Sequence, residues 1–132
     1  MWKETIICVV IVISIVSGNI ITQNYTVESV ENISAKLDEL KNEILKVEKE
    51  NGNKEEIDKK VNTVRSEWES RHDKLAYFIE HDELEKIETS LTGLYSFIET
   101  EEYTEATSEL DKSNFILKHI EEKYAFNLEN IF

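Results

Sequence analysis

The chain has 132 residues, no proline, one cysteine, and 28 Asp plus Glu against 15 Lys plus Arg, for a formal net charge of −13. One acid and one base precede residue 28, so the charge belongs to a body of about 105 residues, enough for one small domain with one core. Nucleic acid and anionic headgroups would both repel such a body, which excludes a phosphate-neutralising role spread over a basic face.

Residues 1–27 read as a membrane anchor. Thr5 to Val27 carry no charge, and as a helix with ~1.5 Å rise per residue they would reach ~34 Å, against a hydrocarbon core of ~30 Å. Trp2 and Tyr25 stand at the two ends, where amphipathic rings favour the headgroup layer. The expected lipid contact is therefore residues 5–27. The competing reading is a signal peptide, with Lys3 ahead of the apolar run Ile6 to Val16 and with Val16 and Gly18 at the −3 and −1 positions; cleavage there would give a secreted chain. Lys3 and the α-amine are matched by Lys36 and Lys41 on the other side, so orientation rests on the short head, which places the N-terminus in the cytoplasm and the body outside. Cys8 follows no lipobox, and the cysteine-free body suits an oxidising exterior. Asn24-Tyr25-Thr26 and Asn32-Ile33-Ser34 match the glycosylation pattern as chance triplets would in this composition.

Residues 28–132 read as an acidic extracytoplasmic bundle, interrupted only by Gly52 and Gly93. Val30, Ile33, Leu37, Leu40, Ile44 and Val47 step by 3 and 4, one stripe of a helix over about 27–50. Asn51-Gly52-Asn53 stops it, with Gly52 suited to a left-handed C-terminal position and Asn53 to a capping box with Glu56. A second helix over 54–80 uses Ile57, Val61, Val64, Trp68, Leu75 and Phe78, with Arg71 or His72 filling the gap. Trp68 reads as a core residue. A third helix over 82–99 uses Leu84, Ile87, Leu91, Leu94 and Ile98. A fourth over 101–125 uses Tyr103, Ala106, Leu110, Leu117, Ile120 and Tyr124.

Five-residue steps from Ile79 to Leu84 and from Ile98 to Tyr103 would rotate a continuous stripe away from its partner, so both mark corners. Residues 75–83 and 94–102 resemble one another at an offset of 19. Asp82 is expected to cap the third helix and Thr100 the fourth. The expected fold is all-α: a transmembrane helix followed by an antiparallel three- to four-helix bundle, the first body helix being either a member or a stalk. The tail 126–132 carries Phe126, Leu128, Ile131 and Phe132 and is expected to fold back over the open end.

Chemistry is sparse. Glu69-x-x-His72 has the spacing of di-metal bundles, but no second copy accompanies it. Glu69, His72 and His81 are the metal-site candidates, and the balance favours no metal, no cofactor and no catalytic residue. His81 reads as a cation in the last turn of the second helix, His119 as a boundary residue, and Glu99, Glu101, Glu102, Glu105 and Glu109 as a solvated face. Nucleophile elbow, phosphate-cradling loop and paired-cysteine motif are all absent from the sequence.

At Trp68, Arg71-His72-Asp73-Lys74-Leu75, Phe78 to Leu84 and Asn127-Leu128-Glu129-Asn130-Ile131-Phe132, the chain resembles a domain-of-unknown-function family of short, N-terminally anchored helical proteins of spore-forming Gram-positive bacteria. The resemblance implies a Gram-positive envelope setting and no established activity. The expected function is a non-enzymatic, membrane-anchored module that binds another envelope protein, with a multi-span membrane protein as one candidate partner. The alternatives are a cation- or ligand-binding sensor using His72 and His81, and a homo-oligomeric coiled-coil stalk through the first body helix.

Overall fold

The computed structural model describes residues 1–49 and 52–129, with side chains as far as Ala125 outside the 50–51 gap. Its four helices are α1 (Trp2–Glu48), α2 (Lys54–Leu75), α3 (His81–Glu99) and α4 (Tyr103–Glu129), and no strand occurs among the described residues. α1 packs on α2 and α4, α3 packs on α4, and α2 and α3 barely meet.

The apolar segment and the first body helix form one element. α1 runs 47 residues without a break at residue 27, because nothing in Gln23 to Glu28 stops a helix and the Thr26 and Ser29 hydroxyls bond back to the carbonyls of Thr22 and Tyr25. It is long and apolar enough to cross a membrane. The change along it is one of surroundings: residues 2–21 are exposed, whereas Gln23, Thr26, Ser29 and Val30 are buried by the bundle. The part free of bundle contact is thus residues 2–21, about 30 Å long.

The stripes read from spacing are the core. Ile33, Leu37, Leu40 and Ile44 are fully buried with Ile57 and Val64 of α2, Ile87 and Leu94 of α3, and Ala106, Leu110 and Ile120 of α4. α1 is therefore a bundle member; its stripe is spent inside the chain, so the stalk reading loses the seam it needed. Polar cross-links between helices set the register. Arg71 donates to the Ser29 hydroxyl at 3.0 Å, and Asn114 donates to Asp38 at 2.9 Å.

The corners depart from the expected capping. No glycine has positive φ among the described residues. Gly52 is required for space: a Cβ there would lie 2.3 Å from the Val47 nitrogen. Asn53 does cap α2, but its side chain accepts from the Glu55 N–H at 2.9 Å, one residue short of a capping box. α2 ends at Leu75, earlier than 80, because Phe78 turns in against the Tyr25 ring, centroids 6.1 Å apart, while the Tyr124 hydroxyl donates to the Phe78 carbonyl. Asp82 consequently lies inside the first turn of α3, behind the N-cap residue Glu80. Thr100 closes α3 and does not open α4: its hydroxyl bonds to the Ser96 and Phe97 carbonyls. The left-handed residue is Glu101, φ 60°; Glu102 N–H to Phe97 O and Glu101 N–H to Ile98 O complete a Schellman turn. α4 continues to Glu129, so residues 126–129 are helix where a tail was expected; the proposed fold-back of Ile131 and Phe132 lies outside the described residues.

Candidate functional site

The asymmetry of the bundle has a cause in side-chain size. Between α3 and α4 stand Ser90, Gly93, Ala106 and Ser113; Ser90 Oγ donates to the Glu109 carbonyl at 2.9 Å, and a Cβ on Gly93 would come 3.2 Å from Glu109 Cγ. Small residues let these two helices close up. Between α2 and α3 stand Trp68 and Tyr95, which hold the pair apart and leave a cleft of about 670 Å³.

Trp68 and Leu91, both almost wholly buried, line the inner side of the cleft, together with the half-buried Tyr95. The Arg65 guanidinium lies over the Tyr95 ring at 4.4 Å, a cation–π contact. His72 packs on Trp68 with ring centroids 5.5 Å apart and reaches across to α3, Nε2 to Glu88 Oε1 at 3.2 Å; its Nδ1 is 3.3 Å from Asp73. Glu69 and Glu99 complete an acidic rim. The Tyr95 hydroxyl is buried without a hydrogen-bond partner among the described residues. Burial pushes its pKa up to about 12, opposed by the charge of Arg65.

Of the sequence-derived candidates, the cleft brings together Glu69 and His72 and leaves out His81, which is exposed as the first residue of α3 and not in the last turn of α2. Among the described residues no three His, Cys, Asp or Glu side chains converge as a metal site would need. The acidic residues 99–109 disperse: Glu101 pairs with Lys54, Glu102 accepts from Thr100, Glu109 meets Ser90 and Lys112, and Glu99 joins the cleft. Arg71, one of two residues expected to fill the gap in α2, turns to α1 and bonds Glu67 and Ser29, leaving the cleft to His72.

Arg65, Glu88 and Tyr95 were not singled out by spacing. Arg65 and Tyr95 each stand one position past a stripe residue, Val64 and Leu94, and an Arg and a Tyr so placed on facing helices are the signal that was there to read.

No curated protein and no solved structure matches the chain. A family does match, over residues 20–131, a stretch that begins where α1 is about to enter the bundle and takes in all of α2, α3 and α4. With most of its length matched, the chain belongs to the family described as a domain of unknown function, DUF4363.

Proposed function

We propose that this protein is a non-enzymatic interaction module of the cell envelope, held by α1 in the membrane with its body outside, and that the α2–α3 cleft receives a segment of another envelope protein. The observation that carries the reading is the composition of the cleft. Trp, Tyr and Arg are the residues that concentrate binding energy at interfaces, and here Trp68, Tyr95 and Arg65 line one groove whose rim carries Glu69, Asp73, Glu88 and Glu99. Such a rim favours a partner segment bearing Lys or Arg. The free length of α1, about 30 Å, fits one bilayer crossing and supports the location.

The cation-binding alternative has less support, because among the described residues no three His, Cys, Asp or Glu side chains converge around His72, and Glu69 is exposed. The test is a photoreactive residue in place of Thr92, an exposed cleft position, in native membranes. A discrete adduct that disappears when Glu69 and Glu88 are both changed to Lys is the expected result. Adducts unaffected by that reversal would overturn the cleft reading. Location is tested separately by alkaline extraction: a mature chain released with Asn19 as its first residue would overturn the anchor.

A further inference from the structure

The base of the bundle has a fixed position along α1. α1 and α2 run antiparallel, so each step up one is a step down the other. Arg71 stands beside Ser29, which puts Leu75, four residues on and the last of α2, roughly level with Tyr25, four residues back; the turn that follows, with Tyr77, stays near that level, since Phe78 meets the Tyr25 ring. α4 gives the same level independently: Asn114 stands beside Asp38, and Glu129, fifteen residues on, comes level with Gln23, fifteen back. The α2–α3 turn and the end of α4 therefore finish on one plane, and that plane crosses α1 where its exposed apolar stretch stops at Ile21, 68% exposed.

Tyr77 is the conspicuous residue of that plane. It is 85% exposed, although its neighbours Phe78 and Ile79 are turned inward, Phe78 onto Tyr25 and Ile79 into the core. The Lys74 ammonium lies 5.4 Å from the Tyr25 ring beside it. A tyrosine with a lysine next to it at the end of an apolar span is the composition that settles at a membrane–water interface, ring among the glycerol groups and polar ends in the headgroups.

We infer that the base of the bundle, with Tyr77 at its corner, rests in the headgroup layer of the bilayer that α1 enters, so that the α2–α3 turn is a second lipid contact. The inference rests on the proposed membrane crossing of α1. The body has no linker on which to swing: α1 passes into it as continuous helix, and a second contact fixes the tilt of the α1 axis against the bilayer normal.

The test uses the full chain with Cys8→Ser, carrying a polarity-sensitive nitrobenzoxadiazole label on one introduced cysteine, reconstituted in phosphatidylcholine vesicles with nitroxide lipids. Three positions are compared: Ile13→Cys in the span, Tyr77→Cys at the base and Thr104→Cys at the far end, all of them exposed. Headgroup-level nitroxide should quench the Tyr77 label at least twofold more than the Thr104 label, and acyl-chain nitroxide should quench the Ile13 label. Quenching at Ile13 with Tyr77 indistinguishable from Thr104 overturns the second contact and leaves the crossing standing. No quenching at Ile13 overturns the crossing, and the inference with it.

Discussion

Tyr95→Phe isolates the chemistry of the cleft. The substitution keeps the ring under Arg65 and removes only a hydroxyl that is buried without a partner among the described residues. A buried unpaired hydroxyl costs ~1–3 kcal/mol. The variant should therefore be more stable than the parent by about 1 kcal/mol at neutral pH, raising Tm by about 4–8 °C for a domain of this size. pH supplies a second readout. The hydroxyl's pKa is pushed up to about 12 from its ordinary 10.0, so the fold favours the protonated form. Stability is therefore unaffected by this group's titration below pH 10 and falls as pH rises from 10 towards 12, where the unfolded chain gives up the phenolic proton first. By pH 11 the parent should have lost up to about 1.4 kcal/mol relative to pH 7 that the variant keeps, less what solvent screening removes. Urea unfolding of the full chain in maltoside micelles, followed by circular dichroism at pH 7, 10 and 11, measures both effects. A variant less stable at pH 7, with a gap that does not widen by pH 11, would refute the reasoning by showing that the hydroxyl is already bonded in the fold.

Other parts of the chain give equally direct expectations. Ile33→Ala on α1, a fully buried position, should cost ~2–5 kcal/mol in thermal or urea unfolding; an unchanged melting curve would mean that α1 is a stalk after all. Glu101→Gly should stabilise by about 0.5–1 kcal/mol, since glycine removes the left-handed penalty while the lost pair with Lys54 is exposed and weak. Glu101→Ala should not stabilise, and an equal gain from both variants would locate the effect elsewhere. The hydrogen bond from Lys123, and then its charge, hold the Glu80 carboxyl below its ordinary value. That contribution is present above pH 4.5 and lost as pH falls through the depressed pKa, so Lys123→Met should flatten the acid limb of Tm against pH; an acid limb as steep as the parent's would show that Glu80 has no such support.

The helices were legible because burial writes itself into spacing. The 3,4 steps from Val30 to Ile44 and from Leu84 to Ile98 coincide with residues almost wholly removed from solvent. The corners were less legible, because tertiary contacts decide them. Phe78 keeps helical spacing with Leu75, yet it leaves the helix to meet Tyr25, which lies more than fifty residues earlier in the sequence. Gly52 signalled a turn for the wrong reason, since its need is clearance from Val47 and not a positive φ. The cleft was hidden for a different reason. It exists because one helix pair meets through Ser90, Gly93 and Ala106 while the next is propped by Trp68 and Tyr95, and stripe counting gives each helix a buried face without saying how closely two such faces approach.

The continuity of α1 also moves the boundary of the folding unit. Charge alone put the division at residues 27 and 28, but Gln23, Tyr25 and Thr26 already belong to the bundle: Gln23 and Thr26 are buried, and the Tyr25 ring meets Phe78, Arg71 and Lys74. The family match begins at residue 20, on the same side of those residues. A chain starting at residue 28 loses an aromatic pair of ~0.5–1.5 kcal/mol and cation–π contacts of ~0.5–1 kcal/mol each, besides the apolar area that Tyr25 covers. It should be less stable than one starting at residue 20 by about 2–3 kcal/mol, or roughly 10–20 °C in Tm. Calorimetry of the two fragments decides the point. Equal melting temperatures would mean that the bundle ends where the charge begins, and that Gln23 to Val27 are only the last turns of the span.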